Sequence, residues 1–340
     1  ALSGANLAGQ PRTSPQEVVE AAIANTDAPI LVLIPPLMHG AAIYSLLTAF
    51  LSGARRVIMR KFDPVDVLRL IESERAVGVT VVGDGIARPV VEAMQAHPEI
   101  DVNSLKMVGS GGALFSPGVK DQLREQVPGL RIVDAFGASE TGNDGVVEFA
   151  DDGTKRVRSN PHMRLLGDDL RPVTPGAEGF IARGGRVPLG YYGDEEKTAA
   201  TFPVVDGERL AVLGDRGRME DDGTIVLLGR GSTCINSGGE KIYPEEVEQA
   251  LKTHPEVYDA VVVGVSDERF GQKVAAVVAL REGNPEPTPA VLNAIAEHCR
   301  AHVAGYKIPR VVVAAPEVHR SPSGKADYPW AAKTVLATVE

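Results

Sequence analysis

Short apolar runs and amphipathic stretches alternate through the first part of the chain. Ser14-Pro15-Gln16-Glu17 has a capping-box pattern with proline at the first helical position, which predicts a helix to about Asn25. The residues before it, Ala1 to Thr13, are small and polar and read as a loop. Ile30–Ile34 is an apolar run closed by Pro35-Pro36 and reads as a buried strand. His39 to Ser52 is apolar nearly throughout and stops at Gly53, which predicts a buried helix. Strand signals follow at Arg56–Met59, Val79–Val82, Met107–Val108 and Arg131–Asp134. Helix signals lie between them, from Asp63-Pro64, at Ile86–Gln95 and at Ser116–Glu125. This alternation predicts an α/β fold, a parallel sheet with helices on its faces. Ligands gather at the carboxyl ends of such strands, which singles out the loops Gly109–Ala113 and Ala135–Gly142.

The pattern changes at Asp151. Glycine and proline become dense through Gly193, and the apolar runs are short, as at Gly179–Ala182 and Thr224–Leu228, which predicts a small antiparallel β unit or barrel. Within it, Gly214-Asp215 and Gly229-Arg230 end a strand–turn–strand whose turn is Asp221-Asp222-Gly223. Beyond Arg230 a third pattern begins. Helices are expected at Pro244–Lys252 and Pro289–Val303, and strands at Ala260–Val265, Val274–Leu280 and Arg310–Ala314. The expected division is 1–150, 151–230 and 231–340, the last a compact α+β domain.

Composition narrows the function classes. The 340 residues are 44% hydrophobic and 24% charged, ordinary for a soluble globular protein. A net charge of −10 argues against nucleic-acid or membrane-surface binding, which needs a basic face. Cys234 and Cys299 have no metal-type spacing, so reduced thiols in a cytoplasmic setting are expected. No apolar run approaches the ~20 residues of a transmembrane segment.

Several windows could carry chemistry. In Phe136-Gly137-Ala138-Ser139-Glu140-Thr141-Gly142, hydroxyls and backbone N–H groups suit phosphate oxygens, and the carboxylate suits Mg2+. The same window also fits a capped turn. Ser110-Gly111-Gly112-Ala113 would let a flat ligand lie against the backbone, but Leu114 stands where a dinucleotide fingerprint needs glycine. Asp215 and Arg230 suit a ribose, or merely pair on the surface. Lys325, on the turn Ser321-Pro322-Ser323-Gly324, reads locally as a solvated lysine, and His39 as a core histidine.

In this order the windows resemble the adenylate-forming superfamily of acyl-CoA synthetases, luciferases and peptide-synthetase adenylation domains. Phe136-Gly137-Ala138-Ser139-Glu140 is similar to its Tyr-Gly-x-Thr-Glu motif, and Gly214-Asp215 to its ribose motif. Gly229-Arg230 matches its Gly-Arg before the hinge, Ile235-Asn236-Ser237-Gly238-Gly239-Glu240-Lys241 its glycine loop, and Gly324-Lys325 its terminal Gly-Lys. Pro36-Leu37-Met38-His39 fits its Pro-x-x-His element. The wording is most similar to bacterial fatty-acyl or steroid-acid CoA ligases. Two departures stand out: Ser232 occupies the hinge position where Asp or Lys is usual, and the phosphate loop ending in Pro-Lys-Gly is absent. The chain therefore reads as the carboxyl-terminal part of a longer synthetase.

The resemblance implies ATP, Mg2+ and coenzyme A as cofactors and a carboxylic acid as substrate, and it admits a homo-oligomer. It assigns Glu140 to Mg2+ and catalysis, with Ser139 and Thr141 on phosphate oxygens. Gly111, Gly112, Ala113, Asp134, Ala135, Phe136 and Gly137 would surround adenine, and Asp215 and Arg230 would hold the ribose. Lys325 would meet the carboxylate and the α-phosphate. Ser232 would be the hinge, and Gly238, Gly239 and Lys241 would line the CoA site. His39, Asp84 and Gly85, with Gly142–Gly145, would border the acyl pocket. Two alternatives stay open. One is an adenylation domain for amino or aryl acids, with Asp84 holding an amine. The other is an adenylate-binding module without catalysis.

Overall fold

The computed structural model describes residues 14–150, 153–283, 286–321 and 324–339, so the loop expected before Ser14 lies outside the described residues. Contacts divide the chain into two units. The first is Ala1–Arg164, Ala182–Ala211 and Pro322–Lys325; the second is Leu165–Ile181, Val212–Ser321 and Ala326–Glu340.

The first unit opens with α1 (Pro15–Ala24), β1 (Ile30–Leu33), α2 (Gly40–Ser52), β2 (Arg55–Ile58), α3 (Pro64–Glu74), β3 (Gly78–Val81) and α4 (Gly83–Ala96). It continues with β4 (Met107–Gly111), α5 (Pro117–Gln126), β5 (Arg131–Ala138), β6 (Gly142–Phe149) and β7 (Lys155–Arg158). Ser14 caps α1 by accepting from Glu17 N–H, and Asp63 caps α3 by accepting from Val65 and Asp66 N–H. Strands β1 to β5 are parallel in the order β2-β1-β3-β4-β5, as the alternation predicts. The core packs Val32, Val79, Val81 and Val108 against Leu68 and Ile71 of α3, Val90 and Val91 of α4 and Leu123 of α5.

Two expectations need correction here. The loop expected at Ala135–Gly142 is a hairpin: β5 runs on to Ala138, turns, and returns antiparallel as β6, with β7 beyond it. A turn rich in glycine and hydroxyls hides strand periodicity. Helix α2 is also not buried throughout. Only Ala42 and Ala49 are buried, while Phe50 is 71% exposed. Its apolar residues spread around the whole helix, so the small ones meet the body and a large one faces out.

Next come β8 (Met163–Leu166), β9 (Glu178–Arg183), α6 (Glu195–Thr201), β10 (Val204–Val205) and β11 (Glu208–Arg209). In the second unit, β12 (Ala211–Met219) and β13 (Thr224–Arg230) form the expected antiparallel pair, with Asp215 opposite Arg230. They are followed by β14 (Ile235–Ser237), β15 (Glu240–Ile242), α7 (Pro244–Lys252), β16 (Val257–Asp267) and β17 (Gly271–Leu280), then α8 (Pro289–His298), β18 (Val311–Ala314) and α9 (Tyr328–Val339). Helix α8 stops short of Val303 because Cys299–Ala301 tightens into a 3-10 turn. Successive residues of β16 and β17 supply separate cores on the two faces of the hairpin. Val262, Ala276 and Val278 join α7 and α8 on one face, and Val261, Val263 and Val277 join α9 on the other.

Glu248 of α7 is fully enclosed and accepts from Val262 N–H at 3.1 Å. Burial, with Glu245 adding to it and Lys252 opposing, pushes its carboxyl up to about 7. A folded-state value above the unfolded one means that stability is lost as pH rises through about 7. Glu248→Gln keeps the acceptor and removes the charge. It should therefore raise unfolding stability at basic pH by up to about 3 kcal/mol, with the gain fading in acid. Denaturant melts across pH check this; an equal gain at every pH would contradict it.

Candidate active site

The first unit assembles its candidate residues at the carboxyl ends of β4 and β5. Ser110 of β4 lies opposite Asp134 of β5, and Gly111 opposite Ala135. Ser110 is buried, and its hydroxyl accepts from Gly83 N–H at 3.0 Å, tying β4 to the start of α4. At Gly137 the backbone passes so close to β6 that a Cβ would stand 1.9 Å from the Gly142 carbonyl oxygen. Only glycine fits there.

The tight turn between β5 and β6 carries Ser139, Glu140 and Thr141. Thr141 N–H donates to Ala138 O, and Ala138 N–H donates to the Thr141 hydroxyl, each at 3.2 Å. That hydroxyl donates in turn to Asp144 at 2.5 Å, and Asp144 pairs with Arg183 at 2.7 Å. Thr141 therefore holds the turn, while Ser139 is exposed on it. Glu140 is half-buried, and one carboxylate oxygen accepts from the Tyr191 hydroxyl at 2.6 Å. The Tyr44 hydroxyl donates to the Ser139 carbonyl. The first turn of α2 lies against Ser139, since a Cβ on Gly40 would stand 2.8 Å from the Ser139 Oγ. His39 precedes it, its Nε2 buried without a hydrogen-bond partner among the described residues.

Asp134 points inward. It pairs with Lys120 of α5 at 2.7 Å, the two side chains 9% and 8% exposed. The ammonium also lies 4.5 Å from the Phe149 ring centre and 5.1 Å from that of Phe115. Burial pushes the Asp134 carboxyl above its ordinary value, with Lys120 pulling the other way. A nucleotide could meet this residue only through its main chain. Asp84 is likewise engaged: its carboxylate accepts from Ser116 N–H at 2.8 Å and Ser116 Oγ at 3.1 Å, with Arg88 at 3.9 Å. Gly85 lies beside it in the first turn of α4, not in a loop. Lys325 is exposed, and its Cε would lie 3.8 Å from a Cβ built on Gly112, both in the first unit.

The second unit holds the remaining candidates. Arg230 Nε meets Asp215 at 3.3 Å, one side chain across from the other on the hairpin. Ser232 lies in a 3-10 turn, Gly231–Thr233, directly after β13. Gly238 and Gly239 form the turn between β14 and β15. Gly238 N–H donates to Phe270 O at 2.8 Å, and a Cβ on Gly239 would meet nothing within 4 Å. Lys241 is exposed on β15.

Sequence reading missed Tyr191, Lys120 and the Asp144–Arg183 pair. Each meets its partner across many residues of chain, and no local signal announces the pairing. Among the described residues no group of three or more His, Cys, Asp or Glu could hold a metal, and no helix is long and apolar enough to cross a membrane.

Residues 9–192 match the AMP-binding enzyme family model, and residues 246–325 match the AMP-binding enzyme C-terminal domain. A medium-chain acyl-CoA ligase, Mig, of Mycobacterium avium is 46% identical over 97% of this chain and 60% of its own length. A 3-oxocholest-4-en-26-oate–CoA ligase of Rhodococcus rhodochrous is 44% identical over 88% of this chain and 55% of its own. The chain thus spans little more than half the length of these relatives. In fold it is similar to an anthranilate CoA ligase, AuaEII, solved with anthranoyl-AMP, at a TM-score of 0.78 and 21% identity, covering 99% of this chain and 67% of the other. With more than half of its residues matched by one family model, the chain belongs to the AMP-binding enzyme family.

Proposed function

We propose that this chain contributes to an ATP-dependent acid–thiol ligase. A substrate carboxylate oxygen attacks the α-phosphorus of ATP, pyrophosphate leaves, and an acyl-adenylate results. The thiolate of coenzyme A then attacks the acyl carbon and AMP leaves. The observation that carries this reading is Lys325 beside Gly112, at the strand ends where the Glu140 turn also lies. Its ammonium supplies a point charge where two anions must approach.

The other roles are assigned with it, residue by residue. Gly111–Ala113 and the main chain of Asp134–Gly137 offer a flat surface for adenine. Ser139 offers an exposed hydroxyl to phosphate, whereas the Thr141 hydroxyl is taken up by Asp144. Asp215 and Arg230 offer an acceptor and a donor fork to a ribose. Mg2+ fits Glu140, because Tyr191 engages one oxygen of a carboxylate that has two. When bound, it would neutralise phosphate charge. With no multi-carboxylate cluster among the described residues, phosphates and water would complete its shell.

The relatives' names favour a fatty or steroid-derived acid over an amino acid. Asp84 favours it too, since its carboxylate is spent on Ser116 and Arg88. A substrate panel tests this: turnover of amino acids above that of long-chain acids would overturn it. For the thiol step, we place the pantetheine arm along Gly238-Gly239 after rotation about Ser232. Gly239→Leu should then cut thioester formation from supplied acyl-adenylate at least tenfold, roughly 1.4 kcal/mol or more. Adenylate formation in the same variant should persist, which also reports that the protein is folded. An unimpaired thioester rate would reject this placement of the pantetheine arm. The free cysteines Cys234 and Cys299 fit a cytoplasmic setting.

A further inference from the structure

Lys325 carries its charge on a long side chain and directly precedes Ala326, so its precision depends on what holds the base of the segment there. The base is closed by an antiparallel bridge between Arg320 and Ala326. It is closed again one residue out, where Asp327 N–H donates to His319 O at 3.1 Å. On one side, the His319 ring stacks on Trp330 of α9 at 4.2 Å, the planes 14° apart. Asp327 also accepts from Trp330 N–H at 3.0 Å, so the same residue starts the helix and closes the stem.

On the other side stands a fork. Arg320 Nε and Nη2 each donate to Asp259, both at 2.7 Å, one to each carboxylate oxygen. Asp259 also accepts from Ala260 N–H at 2.9 Å, and Lys252, almost wholly buried, lies 3.9 Å away. The register of β16 shifts between Val257 and Asp259, a bulge that re-aims the side chain where it occurs. Burial works against ionising Asp259, yet Arg320 and Lys252 hold its carboxyl below the ordinary value. A bidentate pair fixes direction as well as distance.

We infer that the Asp259–Arg320 fork is a positioning pair that sets Lys325, through the stem at Ala326, for adenylate formation. The inference rests on the ligase reading above. It gives Arg320 no contact with substrate; Arg320 acts through the geometry of the stem. Lysine cannot replace it, because an ammonium keeps the charge but loses the fork.

The test uses this chain within a polypeptide of its relatives' full length. Arg320→Lys and Asp259→Asn should each lower kcat for adenylate formation about 10- to 100-fold, the scale of a 1 Å misplacement, with KM for ATP and acid within about threefold. Thioester formation from supplied acyl-adenylate should be unchanged. Adding Arg320→Lys to Lys325→Ala should cost nothing more. Equal losses in both half-reactions, or additive losses in the double variant, would overturn the inference. If Lys325→Ala itself spares adenylate formation, the ligase reading fails; if it does not and Arg320→Lys is silent, only this inference fails. Should the variants lose activity by unfolding, hydrogen exchange in the present chain decides. The Asp327 amide should exchange at least tenfold faster in Arg320→Lys while the β16–β17 amides stay protected. Uniform acceleration would point to a merely structural pair and overturn the inference.

Discussion

Replacing Lys325 with alanine, in a polypeptide of the relatives' full length, should on the proposed ligase reading cripple adenylate formation by about 10²–10³-fold, the usual cost of removing one group that stabilises developing charge. Thioester formation from supplied acyl-adenylate should survive. The asymmetry follows from the chemistry. In the first step two anions meet, and a cation is needed between them; in the second a thiolate attacks a neutral acyl carbon. Lys325 lies within reach of Gly112, just past the end of β4, and that is the ground for assigning it to the first step. Measuring pyrophosphate exchange and thioester formation on one preparation checks this. Equal loss in both would remove Lys325 from its assigned role.

The largest stability effect is expected at Lys120. Lys120→Met keeps an unbranched side chain of similar length but removes the ammonium beside Phe115 and Phe149 and leaves Asp134 buried without its cation. Breaking one side of a buried pair costs about 3–5 kcal/mol. Lys120→Met combined with Asp134→Leu should recover most of it, because no buried charge remains. The loss should also shrink as pH falls, since protonation removes the stranded charge and burial already favours the protonated acid. Urea melts of the single and double variants decide it. A double variant as unstable as the single one would show that packing, not charge, is the cause.

These two residues mark what the sequence makes legible. The parallel order of β1 to β5 follows from alternation, and Ser14 and Asp63 declare their helices by capping chemistry. Asp215 opposite Arg230 follows from the spacing of a hairpin. Lys325 had no local signal of its own; only its order among other motifs made it a candidate. Lys120 had none at all, because its partner lies on the next strand and amphipathic periodicity counts it as a solvated lysine. Tyr191 escaped for the same reason: its bond to Glu140 joins distant parts of the chain. The turn at Ser139–Thr141 was recognisable as chemistry but not as the end of a hairpin. Helix α2 shows the converse limit. Apolar composition announces burial but cannot say which face has a neighbour.

The two-faced hairpin of β16 and β17 has a consequence for how the polypeptide is made. Its valines and alanines alternate between a face covered by α7 and α8 and a face covered by α9. During synthesis α7 emerges before the hairpin, whereas α9 emerges well after it. One sticky, β-branched surface therefore waits bare at the ribosome until α9 arrives. A translational pause in that interval would favour misassembly with a neighbouring nascent chain over native closure.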